Sequence, residues 1–226
     1  MGIGGSLGKA LAPQVQRMAP EMTANFVRET LTRAINGVGP LPGAATAAQK
    51  QLDEQRGNVE AAVHEVIENH VRYAGFQGFA TNLGGLVTAA VTIPANITGL
   101  AVIQCRMVAG IAHLRGYDLG DPRVRNAILA CMLGEDVVGS LVRKQLLPAP
   151  PMAIATAPAH DPELDRVIAA EVTSELLTKV AGKRMATMVG RRVPVVGGLV
   201  GAGTDGYATW RIGRYADREL LARTLR

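Results

Sequence analysis

"FQGFATNLGGLVTAAVTIPANITGLAVIQC", residues 76–105, runs thirty positions without a charged side chain. A bilayer crossing needs only about 20 apolar residues, so length alone permits a span. Composition argues against a simple one. Gln77, Thr81, Asn82, Thr88, Thr92, Asn96, Thr98 and Gln104 dilute the stretch, and Pro94 interrupts it. A proline removes a backbone donor and bars the residue before it from the helical region. The stretch therefore reads as two buried helices, about 76–91 and 94–116. Thr92 is the expected cap and Pro94 belongs to the first turn.

Working outward, the same helical period continues in both directions. Val15, Met18, Met22, Phe26 and Ile35 mark a first helix over 13–36, ended by "NGVGPLPG" at 36–43. Leu52, Val59, Val63, Val66 and Ile67 give a second, 46–71. "DP" at 121–122 starts another, running to about Leu146. "LLPAPPMAIATAPAHDP", 146–162, is a proline-rich strap. "DPEL" at 161–164 opens a ridge of Leu164, Ile168, Val172 and Leu176 that is expected to end near Gly182, and a last helix starts at Pro194. No strand emerges. The fold expected is all-α: one multi-helix domain with glycine-rich, close-packed central helices and a flexible N-terminal arm. The division is 1–45 for the arm and first helix, and 46–226 for the helical domain.

The 226 residues suffice for a real core. Apolar residues are 48% and aromatics only 4%, so small side chains fill that core and helices approach closely. Two cysteines, Cys105 and Cys131, sit in apolar helical patterns and read as buried hydrophobes in a reducing compartment. The net charge of +5 suits anionic lipid better than nucleic acid, for no aromatic residues interleave with the basic ones.

"VPVVGGLVGAGTDGYATW", 193–210, places one carboxylate in a glycine-rich helix. Gly197, Gly201 and Asp205 form an i, i+4 ridge. With Gly84 and Gly85 on the facing segment, glycines let two backbones approach, and Asp205 points at the packed partner. A buried carboxylate needs a partner. Arg106, the first charge after the neutral stretch, is the first candidate, and Thr88 or Thr92 are alternatives. Before this helix comes a basic run, Lys179, Lys183, Arg184, Arg191 and Arg192, with no acid among them. Cations beside an apolar helix suit an anionic membrane surface.

Other motifs dissolve on inspection. "HEVIENH", 64–70, spaces its histidines six apart, about 120° around a helix, which a shared metal does not tolerate. "GIGGSLGK", 2–9, lacks phosphate-loop spacing. The N-terminus lacks the charge and apolar core of a secretory signal. Its Met-Gly-x-x-x-Ser start matches a myristoylation pattern and reads more simply as a glycine-rich end. No cofactor is expected.

The order of "GFATNLGGLVTAAVTIPANITGLAVIQCRMVAGIAHLRGYDLGDPRVR" (78–125) and "RRVPVVGGLVGAGTDGYATWRIGRYA" (191–216) resembles the EcsC-like family, named for a protein encoded beside a bacterial Ecs ABC transporter. The resemblance covers about 60–218, omitting the N-terminal 45 residues and the strap. It implies an all-helical domain associated with membrane or envelope processes, and no established reaction. The expected function is a non-enzymatic, cytoplasmic protein, peripheral to the inner face of the membrane, whose partner is anionic lipid or a membrane protein. One alternative is a cytosolic module that self-associates into a homo-oligomer. Another is a hydrolase or transferase built on Asp205, Arg106, Glu135 and Asp136.

Overall fold

The computed structural model describes residues 20–39, 41–83, 95–189 and 194–223. Helix α1 spans Pro20–Asn36. A short antiparallel pair follows, β1 (Gly37–Val38) and β2 (Leu41–Pro42), with Gly37 opposite Pro42. Then come α2 (Ala44–Glu54), α3 (Val59–Leu83), α4 (Ala95–Leu114), α5 (Pro122–Leu133) and α6 (Glu135–Arg143). The chain closes with α7 (Pro151–Ala155), α8 (Pro162–Val189) and α9 (Pro194–Glu219). Among the described residues the domain is all-α apart from that four-residue pair.

Helix α4 is the pillar. Residues 104–112 are all buried, and α1, α2, α3, α5 and α9 pack against it. A helix apolar on every side must be enclosed on every side, which is why this one sits at the centre. Helix α1 joins the core through Val27, Leu31 and Ala34, packing on α4 and α8.

Several boundaries differ from the expectation. The 46–71 helix is two helices. Arg56 and Gly57 adopt left-handed φ values of 54° and 82°, and Asn58 restarts the chain by accepting a 3.0 Å hydrogen bond from Ala61 N. "RGN" is a stop followed by a cap. In contrast, α3 continues unbroken through 71–76, where Ala74 is wholly buried. Packing outweighs the propensity cost of about 1 kcal/mol for Gly75. Gly134, at φ 82°, divides the expected 122–146 helix into α5 and α6. Helix α8 runs past Gly182 to Val189, and the strap contains the one-turn α7. Starts were better marked: Asp121 caps α5 by accepting from Arg123 N at 2.8 Å, and Pro162 and Pro194 each begin a helix. Thr88, Thr92, Pro94, Gly84 and Gly85 lie outside the described residues.

Candidate functional site

Three helices form one layer whose register is fixed by close contacts. Arg115, the residue after α4, bonds Glu60 of α3, and a Cβ built at Gly110 of α4 would lie 3.5 Å from Val66 Cγ1. Residue numbers rise on α4 as they fall on α3, so these helices are antiparallel. Helix α9 runs parallel to α4: Gln104 Nε2 donates to Thr209 Oγ1 at 3.0 Å, and Arg115 donates to Asp217 at 2.7 Å. At Gly213 a Cβ would come within 3.1 Å of Ile67 Cγ1 and of Met107 Sδ, so only a hydrogen fits without displacement. The C-terminal end of α3 and the N-terminal ends of α4 and α9 therefore share one end of the layer.

At that end all three helices lose their charge. The last charged residues are Arg72 on α3, Arg106 on α4 and Asp205 on α9. Beyond them run 73–83, 95–105 and 194–204, eleven uncharged positions each. At 1.5 Å per residue this uncharged end is about 16 Å deep. The boundary is level to within about one turn, because Gly206 abuts Val71 and the Arg106 charge acts on His70. Exposed aromatics gather near it: Tyr73, Phe76, Tyr207 and Trp210, with the Tyr207 and Trp210 rings stacked at 6.1 Å.

The boundary is polar and buried. His70 Nδ1 donates to Val66 O at 2.7 Å, which fixes the proton on that nitrogen. Burial pulls the ring from 6.5 to about 4, so it is neutral, and its enclosed Nε2 has no partner. Arg106 is also buried. Its Nε is unpartnered, and burial lowers its pKa although Tyr73 counteracts this. Asp205 is buried as expected, with Ile212 and Tyr215 of its face. Asp205 is not left alone there, for it has an interaction within the fold. The buried stripe of α9 centres on Thr209, Gly213 and Ala216. Of the expected close-packing glycines, Gly197 and Gly201 lie on α9, with their surroundings outside the description. Within this layer Gly213 makes the tight contact and Gly110 an ordinary one, and sequence reasoning missed both. Their spacing to Ile67 and Val66 becomes visible only once the antiparallel register is known.

The basic run approaches the same end. Lys179, Lys183 and Arg184 lie on α8, whose final residue is Val189, and α9 begins at Pro194. Their side chains, and Arg191 and Arg192 altogether, fall outside the described residues. The five steps from Val189 to Pro194 reach at most about 18 Å.

The enzymatic constellation is not assembled. Glu135 and Asp136 are exposed and pair with Arg218 at 2.5 Å and Arg211 at 2.6 Å. Cys105 is buried and its thiol is pushed up to about 12; burial also raises Cys131. Neither is a thiolate at neutral pH, so neither is a nucleophile. His64 is exposed while His70 is buried, so the two point to different sides of α3.

A family model described as the EcsC protein family matches residues 5–225. The chain belongs to that family. The match extends over the N-terminal segment and the strap, both of which sequence reasoning had left out of the resemblance. No curated protein and no solved structure matches the chain. The architecture described above is thus the EcsC protein family's fold as seen in this member. No helix among its described residues is long and apolar enough to cross a membrane.

Proposed function

We propose that this EcsC family member is a non-enzymatic protein that docks peripherally on the inner face of an anionic membrane. The uncharged end of α3, α4 and α9 is its lipid-receptive part. Lys179, Lys183, Arg184, Arg191 and Arg192 supply the headgroup contacts. The observation that carries this reading is the shared level at which three neighbouring helices stop bearing charge. Loss of charge on one helix is common; coincident loss on three, bordered by exposed Tyr73, Tyr207 and Trp210, supports a boundary between two environments. Each cation near an anionic surface contributes about 1 kcal/mol, so the five contribute roughly five thousandfold in partitioning.

Sedimentation with vesicles tests this. The protein is expected to pellet with phosphatidylglycerol vesicles and stay in solution with phosphatidylcholine at low salt. Substituting Lys183, Arg184, Arg191 and Arg192 by alanine should release it. Full recovery in the supernatant with both lipids overturns the proposal. The exposed aromatic group also favours a second reading, that these faces are covered by another copy of the chain. A defined oligomer in detergent-free light scattering, without vesicle binding, supports that reading instead.

A further inference from the structure

A second feature stands apart from the lipid-receptive end and is built from other elements. Between α5, the strap and the first turn of α8 lies a cavity of about 240 Å³. That is roughly eight times the volume a water molecule takes up in the liquid. Its apolar wall is Ala149, Ala153, Ile154 and Leu164, and its polar wall holds Arg123, Asn126, His160 and Asp161.

The polar wall is internally wired. Asp165 Oδ1 accepts from Asn126 Nδ2 at 2.7 Å and from His160 Nε2 at 2.8 Å. With its Nε2 proton on that carboxylate, the ring is tied to Asp165 and Nδ1 takes no part in that bond. Arg123 is committed too. It donates to both oxygens of Asp121, through Nε at 3.0 and 3.1 Å and Nη2 at 2.5 Å, and its Nη1 holds the Ala157 carbonyl. Asp161 accepts one bond, from Glu163 N at 2.9 Å, and is otherwise exposed. The donors of Arg123 and Asn126 thus have internal acceptors. The second oxygen of Asp161 is an acceptor with none of these bonds. Asp121 neutralises Arg123, while Asp161 and Asp165 leave the wall with excess negative charge.

We propose that this cavity binds a small organic ammonium ion, with its charged head on the Asp161 carboxylate and its short apolar body on the Ala149–Ala153–Ile154–Leu164 wall. A carboxylate of the same shape meets two acids and a neutralised arginine, so it is excluded. An alcohol can donate one hydrogen bond but lacks the charge. A charge–charge contact at a partly exposed site corresponds to about tenfold or more in affinity.

Nuclear magnetic resonance titration of the full chain at neutral pH tests this, with butylammonium, butan-1-ol and butyrate as probes. Butylammonium should give saturable amide shifts in 121–126 and 148–165. The alcohol and butyrate should bind at least about tenfold more weakly. Asp161→Asn should weaken butylammonium several-fold while keeping the helix capped, since asparagine caps as well as aspartate. Ala153→Phe, at an exposed position, should fill the cavity and abolish binding. Equal binding of butyrate or butanol, or no saturable shift with butylammonium, overturns the proposal. So does butylammonium affinity unchanged in Asp161→Asn, which decides the matter even if Ala153→Phe does not fold.

Discussion

His70 shows how one buried ring couples this fold to pH. Its folded value is about 4 and its unfolded value 6.5, because burial disfavours the cation. Between those limits the unfolded chain takes up a proton that the native ring refuses. Stability is therefore complete above pH 6.5 and declines as pH falls toward 4. The loss from this ring should reach about 2.5 kcal/mol at pH 4.5, measured by urea denaturation. His70→Leu should flatten that slope; an unchanged slope would assign it to other groups. Arg115 matters in another way. It links Glu60 and Asp217, and Asp217 is only 17% exposed. Arg115→Met leaves that carboxylate only its looser contact with exposed Arg214 at 3.3 Å and should cost about 2 kcal/mol, part of which Asp217→Asn recovers in the double variant. Neither residue announced its role in the sequence. His70 stood in a failed metal motif, and Arg115 lies 102 positions from Asp217. Asp205 did announce its burial, because a lone carboxylate among glycines has no solvent-facing explanation. Which group partners it depends on how whole helices align, and that register is not written in local sequence.

Among the elements, α9 carries the contacts that set the layer. Gly213 faces Ile67 and Met107 closely, whereas a Cβ at exposed Gly203 meets nothing within 4 Å. The two glycines should therefore respond oppositely. Gly213→Leu overpacks the junction and should cost about 1–3 kcal/mol. Gly203→Ala should stabilise by roughly 0.5–1 kcal/mol through helix propensity alone. Thermal melts of the two variants separate these effects. Helix identities and starts were legible because proline and aspartate act locally, as at 121–122, 161–162 and 194. Ends were less so. Gly134 stops a helix and Gly182 does not, and what distinguishes them is the left-handed φ of Gly134, set by the tertiary path. The break at 55–58 was missed, although "RGN" carries its signal: a left-handed glycine precedes a capping asparagine.

For the whole molecule, membrane docking by surface cations should weaken as salt screens them. Retention on phosphatidylglycerol vesicles is expected to fall steeply between about 50 and 500 mM salt, across which the screening length drops well below 10 Å. Trp210, the chain's single tryptophan, is 42% exposed beside the boundary and reports on it directly. Its emission should shift to the blue with anionic vesicles and stay unchanged with zwitterionic ones. The order in which the layer is made has its own consequence. Helices α3 and α4 leave the ribosome about a hundred residues before α9, which packs along both. At roughly 5–20 residues per second, their matching faces wait for 5–20 s without the helix that covers them. During synthesis this protein is therefore a long-lived exposed apolar surface, a natural client for a nascent-chain chaperone, and one whose yield should fall sharply if translation stalls between residues 114 and 219.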